Sequence, residues 1–156
     1  MPFGTLTTYE INLTLISLQM RNDHYYMEIC LALSQRASEK GNTAVGAVVV
    51  KDDEIVSASE EAVISKNDIT CHAELEAIRI AVHKVGTTNL SGCILYSTHE
   101  PCVMCAYAIR FYKIKKVVYL HKAKYLGSVS SSLPLLVTNE VPPHWSKAPI
   151  IVQLEM

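Results

Sequence analysis

The chain has 156 residues, of which 49% are hydrophobic and 19% are charged, and its formal net charge is −1 at pH 7. This length and composition predict a single globular domain and exclude a disordered chain. The near-neutral balance also excludes a polycation that coats nucleic acid with its whole surface.

Residues 1–20 contain no Lys or Arg and therefore lack the cationic start of a signal peptide. No apolar run of about 18 residues is present to span a membrane. We interpret this segment as an appendage, either an extra strand or sequence upstream of a true start at Met20, to one domain at residues 21–156. The five cysteines are an odd number and indicate reduced thiols in the cytoplasm.

The first half of the domain alternates between helical and extended patterns. Apolar residues at helical spacing predict a helix over residues 23–39, capped by Asp23 and ended by Gly41. A valine-rich run then predicts a β-hairpin with strands at residues 44–50 and 55–58.

The second half continues this alternation. Helical patterns cover residues 72–85 and 102–111, and short strands are predicted at 93–97, 117–120 and 150–154. Strands that alternate with helices predict an α/β layered domain with one mostly mixed sheet and helices on its faces.

Two short motifs at predicted helix starts carry metal-binding residue types. Cys102 and Cys105 lie three positions apart after Pro101, so both thiols can face one ion. Together with His72 they provide three protein ligands, which leaves the fourth position of a tetrahedral zinc open, as in catalytic sites. A helix N-terminus also favours thiolates, because its free N–H groups attract negative charge.

Glu74 lies two residues after His72 and can reach the open position without binding the metal. Zinc lowers the pKa of bound water to about 7, and Glu74 would take the water proton, deliver it to a ring nitrogen and help an amine leave as ammonia. Each motif alone has a more ordinary interpretation, such as a redox pair, half of a structural zinc site or chance. His-x-Glu followed by Pro-Cys-x-x-Cys is the known signature of zinc deaminases.

The stretch from about residue 23 to 125 resembles the cytidine deaminase superfamily, in the branch that holds guanine deaminases, yeast-type cytosine deaminase and bacterial tRNA adenosine deaminase. The matching segments are Val45–Val49, Cys71–Glu74 with Ala77 and Ile78, and Thr98–Ala106. The resemblance implies a three-layer α/β/α sandwich with a five-stranded mixed sheet, one zinc per subunit and usually a homodimer.

The resemblance also assigns roles to neighbouring residues. It places the metal ligand at His72, although the adjacent Cys71 is also a candidate, and it leaves Ala73 beside the substrate. Cys30 and Cys93 stand among apolar residues and are predicted to lie in the core.

In base-specific members of this branch, an asparagine eleven residues before the zinc histidine binds the substrate ring. Counting back eleven positions from His72 reaches Glu61, which follows Glu60. An ionised glutamate only accepts hydrogen bonds, so this position would favour a guanine-like base or a sugar hydroxyl that donates. The alternative is a remodelled loop in which both glutamates face water.

Two further departures concern the pocket and the tail. Tyr107 replaces a small residue and either narrows the pocket or packs between helices. The segment Gly127–Trp145 is irregular and replaces the long basic final helix of tRNA deaminases. His144 and Trp145 in this tail are predicted either to cover the pocket or to form a dimer contact.

We therefore predict a zinc-dependent deaminase of a free nucleobase or nucleoside, with guanine or a related aminopurine ahead of cytosine. The alternative is a tRNA adenosine deaminase, and a more remote one is a non-catalytic zinc-stabilised module. RNA binding would use a cluster of cations that is otherwise a solvated helix end and strand edge. This cluster is Arg110, Lys113, Lys115, Lys116, Lys122 and Lys124.

Overall fold

The computed structural model describes residues 21–156, and the predicted appendage at residues 1–20 lies outside them. In chain order the elements are α1 (Asp23–Glu39), β1 (Gly46–Lys51), β2 (Glu54–Glu60), α2 (Val63–Lys66), α3 (Ala73–Val85), β3 (Cys93–His99), α4 (Val103–Phe111), β4 (Lys116–His121) and β5 (Ile150–Gln153). The strands form one sheet in the order β2-β1-β3-β4-β5. β1 is antiparallel to β2 and β3, and β4 is parallel to β3 and β5, which confirms the predicted five-stranded mixed sheet.

Strand β1 lies near the middle of the sheet and is buried on both faces. Successive side chains of a strand point to opposite faces. Val48 and Val50 therefore join the cluster under α1, whereas Ala47 and Val49 join the larger cluster under α3 and α4. The continuous valine run thus reflects helices on both sides of the sheet, as predicted for a three-layer sandwich.

The N-cap of helix α1 lies one residue earlier than predicted. Asn22, not Asp23, is the N-cap, and its side-chain oxygen accepts the Tyr25 N–H at 3.0 Å. Asp23 instead accepts hydrogen bonds from the Tyr96 hydroxyl at 2.8 Å and from Lys116 Nζ at 2.8 Å. The prediction of Asp23 as the cap is wrong because this carboxylate joins α1 to β3 and β4.

The connection from β2 to α3 contains the short helix α2, which the sequence patterns did not predict. Four residues are too few to display a helical period. The buried side chain of Asn42 anchors this helix by accepting the N–H groups of Ile64 and Ser65, each at 3.0 Å. The anchoring fixes the path of the chain from the end of β2 to the start of α3.

No helix within residues 21–156 is long and apolar enough to cross a membrane. The site described below lies where the first turns of α3 and α4 meet beside the carboxyl end of β3.

Candidate active site

His72 and Cys102 occupy equivalent places in the fold, because each is the N-cap of the helix that follows it. Both have extended backbones, with φ −65° and ψ 144° at His72 and φ −73° and ψ 172° at Cys102. Cys105 follows in the first turn of α4 and is fully buried. The two helix starts therefore bring one imidazole and two thiols together.

The three side chains have the separations that a tetrahedral zinc requires. The two Sγ atoms of Cys102 and Cys105 are 3.7 Å apart, and His72 Nδ1 lies 3.6 Å and 3.5 Å from them. Zinc binds sulfur at about 2.3 Å and imidazole nitrogen at about 2.0 Å, so a tetrahedral ion separates two sulfurs by about 3.8 Å and sulfur from nitrogen by about 3.6 Å. The residues present fit a zinc ion with three protein ligands.

The charges of these groups are strongly interdependent. The pKa of Cys102 is lowered to about 4, first by its contact with Cys105 and then by His72. The same contact with Cys102 raises the pKa of Cys105 well above its usual value. Contact with Cys102 also raises the pKa of His72 to about 9. A divalent cation would replace these shared protons and leave both sulfurs as thiolates.

Glu74 is the carboxylate next to this group. Its side chain is 3% exposed, and its Oε1 atom accepts a hydrogen bond from Ser97 Oγ at 3.0 Å. The other oxygen, Oε2, lies 3.7 Å from Cys105 Sγ. Burial raises the pKa of Glu74 to about 7, so this carboxylate can both take up and release a proton near neutral pH.

A cavity of about 280 Å³ opens onto these residues. It is lined by Thr43, Val45, Glu61, His72, Glu74, His99, Glu100, Cys102, Ala123 and Lys124. The cavity joins side chains from α3, α4, the ends of β3 and β4, and the connection after β2. A small ring compound in this cavity would meet the metal ligands, the carboxylate of Glu74 as a proton carrier, and the carboxylate of Glu61.

Glu60 and Glu61 point in opposite directions. Glu60 lies outside the cavity, where it pairs with Arg36 at 3.2 Å and with Lys40. Glu61 is 6% exposed and lines the cavity, and its Oε2 atom accepts the Ala73 N–H at 3.0 Å. Burial raises the pKa of Glu61. The alternative in which both glutamates face water is therefore wrong, and a substrate contact of Glu60 or Ala73 stays a prediction.

Tyr107, His144 and Trp145 do not line this cavity. The rings of Tyr107 and Trp145 meet edge to face with centroids 4.4 Å apart, and Trp145 is 8% exposed. His144 is exposed in the tail. Tyr107 therefore packs against the tail, and the substrate contacts proposed for these three residues stay predictions.

Glu100 organises the start of the tail, a role that the sequence patterns did not indicate. Its buried carboxylate accepts the N–H groups of Ala123, Val129 and Ser130 at 3.1, 2.8 and 2.8 Å, and the Ser130 hydroxyl at 2.7 Å. A Cβ at Gly127 would lie 2.7 Å from the carboxylate carbon, so only glycine fits there. Burial alone would raise the pKa of Glu100, but these hydrogen bonds outweigh it and the pKa lies below its usual value.

The predicted cation cluster is not one surface. Arg110 is 1% exposed and donates hydrogen bonds at 3.0 Å to three tail carbonyls, those of Leu135, Thr138 and Ser146. Lys116 is paired with Asp23. Lys113 and Lys115 precede β4, whereas Lys122 and Lys124 follow it, and Lys124 lines the cavity.

That grouping was therefore wrong, because β4 separates its members and one of them is buried. Of the cluster, Lys124 lines the cavity, and Lys122 is exposed two residues before it.

The remaining cysteines are not part of the metal group. Cys30 and Cys93 are buried in the two core clusters, which confirms their predicted place. Cys71 is buried next to His72, but it belongs to neither group of possible metal ligands within residues 21–156, which are His72 with Cys102 and Cys105, and His72 with Glu61 and Glu74.

Residues 20–121 match a family model described as the cytidine and deoxycytidylate deaminase zinc-binding region. The chain is 41% identical to the tRNA-specific adenosine deaminase of Aquifex aeolicus over 112 residues. The matched region covers 72% of this chain and 74% of that protein. It is also 46% identical to the guanine deaminase of Bacillus subtilis over 74 residues, and this region covers 47% of each chain. A structure from a study of tRNA:A34 deaminases that edit A to I at the wobble position superposes with a TM-score of 0.76 at 33% identity, over 83% of this chain and 91% of that one.

Proposed function

This chain belongs to the cytidine and deoxycytidylate deaminase family, and we propose that it is a zinc-dependent hydrolytic deaminase whose substrate is adenosine in RNA. The observation that carries the chemistry is the tetrahedral spacing of His72, Cys102 and Cys105 with Glu74 beside them. Such a site exchanges a ring amino group for a carbonyl and releases ammonia.

His72, Cys102 and Cys105 would hold the metal in this reaction. Bound zinc would supply a water acidic enough to react near neutral pH. Glu74 takes a proton from that water and passes it to the ring nitrogen next to the reacting carbon. The hydrogen bond from Ser97 fixes Oε1 of Glu74, and Oε2 faces the metal ligands, where proton transfer takes place.

RNA as the substrate is supported by the similarity to tRNA adenosine deaminases and by the charge at the cavity entrance. Lys124 lines the entrance, and Lys122 lies two residues before it on the exposed surface. Lysines at this place can bind the phosphates on either side of a target nucleotide. This ranking puts adenosine in RNA ahead of the guanine-like base that the sequence patterns favoured.

Deamination of free guanine or a related aminopurine is the second candidate. It is supported by the similarity to a guanine deaminase and by the carboxylate of Glu61 in the cavity, because an acceptor suits a base rich in N–H groups.

Ammonia release separates the candidates. The zinc-loaded protein is tested with an anticodon stem-loop RNA, free adenine, guanine and cytosine, and their nucleosides, over a range of salt concentrations. We expect inosine in the RNA and activity that falls steeply with salt, because phosphate contacts are lost. Salt-insensitive turnover of a free base would select the second candidate. Bound zinc without ammonia from any of these would indicate a non-catalytic module.

We also propose that the protein is a cytoplasmic homodimer. The five cysteines are all free thiols, which supports a reducing compartment. A mostly apolar groove between α3 and α4 includes Ile78, Val82 and Ala108 and supports self-association. Sedimentation equilibrium would test the dimer, and a monomer at micromolar concentration would contradict it.

A further inference from the structure

The cavity contains a second buried carboxylate, Glu61, to which the reaction above gives no role. Its side chain is 6% exposed, and its Oε2 atom accepts the Ala73 N–H at 3.0 Å. This is the only hydrogen bond that the Glu61 carboxylate makes within residues 21–156. The side chain lines the cavity. The rest of its capacity to accept hydrogen bonds is therefore directed at whatever occupies the cavity.

Glu61 is also close to the proton carrier. Glu61, His72 and Glu74 each present a ligand atom, and these three atoms all lie within 4.8 Å of one another. A nitrogen that donates two hydrogen bonds of about 2.8 Å at a tetrahedral angle joins two oxygens about 4.6 Å apart. Because 4.8 Å is the upper limit of their separation, Glu61 and Glu74 are close enough for one nitrogen to donate to both carboxylates.

The reaction provides such a nitrogen. After water has added, the reacting carbon carries both the new hydroxyl and the original amino group. On the base of this adduct the amino group can donate two hydrogen bonds, the protonated ring nitrogen donates one, and N7 and the remaining ring nitrogens are acceptors. An ionised carboxylate attracts an amino group that gains a proton and repels a ring acceptor.

We propose that Glu61 binds the amino group that leaves as ammonia, an inference that rests on the proposed deaminase function. Glu74 takes the proton of the new hydroxyl and passes it to the amino nitrogen. The carbon–nitrogen bond then breaks with its electron pair on nitrogen, and the carbonyl forms as ammonia departs. Glu61 exchanges no proton and stabilises the nitrogen as its positive charge develops.

The test compares two RNAs that differ only in the leaving group. One carries adenosine at the reactive position and the other carries 6-chloropurine ribonucleoside, whose chloride leaves without an N–H. Glu61→Leu removes the acceptor, and Glu61→Gln keeps a neutral acceptor for the Ala73 N–H. Glu76→Gln is the matched control, because Glu76 lies outside the cavity and pairs with Lys66 and Arg79.

On the adenosine RNA we expect Glu61→Leu to lower kcat about 100-fold and Glu61→Gln to lower it about tenfold, with smaller changes in KM. On the chloropurine RNA both variants should stay within about threefold of the wild type, and Glu76→Gln should match the wild type on both RNAs. Zinc content and thermal unfolding of Glu61→Gln should also match the wild type.

Equal losses on the two RNAs would overturn the proposal, because they would assign Glu61 a structural role. Unchanged kinetics of Glu61→Leu on adenosine would overturn it as well. If the wild type deaminates only a free base, the assignment to RNA fails, and the same amino-to-chloro comparison is made on that base. A wild type that releases ammonia from no ring would overturn the deaminase function and this inference together.

Discussion

The helix starts that carry the proposed metal ligands and the tail that follows β4 both fix irregular backbone, but they do so differently. At the helix starts, His72 and Cys102 are held by the helices that they themselves begin. The tail between His121 and Ile150 contains no helix or strand. It is held by two buried charged side chains of other elements, Glu100 at its beginning and Arg110 further along.

Because of this difference, we expect variants to affect the catalytic site and the packing of the tail separately. The metal site depends on local geometry, so we expect it to keep its structure when the tail is changed. The tail has no helix or strand of its own, so the loss of one of the side chains that hold it should disorder it. Variants that damage only one of the two regions test whether they are independent. The tail contains Trp145, the only tryptophan of the chain, so intrinsic fluorescence reports its packing.

The largest effect is expected from Glu74→Ala, which removes the proton carrier without touching the metal ligands. Turnover should fall by about 10³ to 10⁴, because general acid–base catalysis contributes on this scale. Zinc content, measured by atomic absorption, and Trp145 fluorescence should not change. The control Glu76→Ala on the same helix removes a carboxylate that pairs with Arg79 and should keep its activity. Loss of zinc in Glu74→Ala would contradict the assignment.

The next effect is expected from Arg110→Leu, which breaks the tail and leaves the metal site intact. Three tail carbonyls lose their donor, and we expect the free energy of unfolding to fall by about 3 kcal/mol. Urea denaturation and Trp145 fluorescence would measure this change. Arg79→Leu replaces an exposed arginine and should have little effect. An unchanged midpoint in Arg110→Leu would show that the tail is held by other contacts.

A smaller effect is expected from Glu100→Gln, which turns one of the acceptors into a donor. The folded-state pKa of Glu100 lies below its unfolded value of about 4.3, so its stabilisation is present above that pH and is lost as the pH falls through the folded-state pKa. Hydrogen exchange at residues 123–130 should increase in the wild type as the pH falls from 7 to 3, after correction for intrinsic rates.

In Glu100→Gln the same segment should exchange faster at pH 7, with a loss of about 1–2 kcal/mol, and should show little further dependence on pH. A pH response that persists in this variant would assign the transition to another carboxylate.

The smallest effect is expected from the double variant Lys122→Ala with Lys124→Ala at the cavity entrance. We expect KM for RNA to rise several-fold at low salt, and the slope of log K against log salt to become shallower by about 1.4, because two phosphate contacts are lost. Turnover of a free base should not change. The double variant Lys113→Ala with Lys115→Ala, before β4, is the matched control, and an equal loss there would contradict a localised RNA site.

The fold and the four residues of the metal site were predictable because their signals are local. A valine run between two helical patterns indicates a central strand, and the site residues fall in two short motifs, His72 with Glu74 and Cys102 with Cys105, each at the start of a predicted helix. The opposite directions of Glu60 and Glu61 were not predictable. They depend on where β2 ends, and the short helix α2 that fixes the next residues has no period of its own.

The two side chains that hold the tail were not predictable for another reason. Arginine and glutamate are rarely buried without partners, so a sequence suggests exposure for both. The partners of Arg110 lie 25 to 36 residues further along the chain. They are backbone carbonyls, which every residue has, so residue type does not indicate which of them will accept a hydrogen bond. Glu100 likewise binds N–H groups and a hydroxyl beyond β4.

The tail and the metal site do share one piece of backbone. Cys102 pairs with Gly127 as an isolated antiparallel bridge, and Ser128 donates to the carbonyl of Pro101 through its N–H at 3.0 Å and through its hydroxyl at 2.6 Å. Two binding events that act on this bridge are thermodynamically linked. A ligand that orders the tail through it raises the affinity for metal by the same factor as the metal raises the affinity for that ligand. The substrate would thereby help to retain the ion on which its own conversion depends.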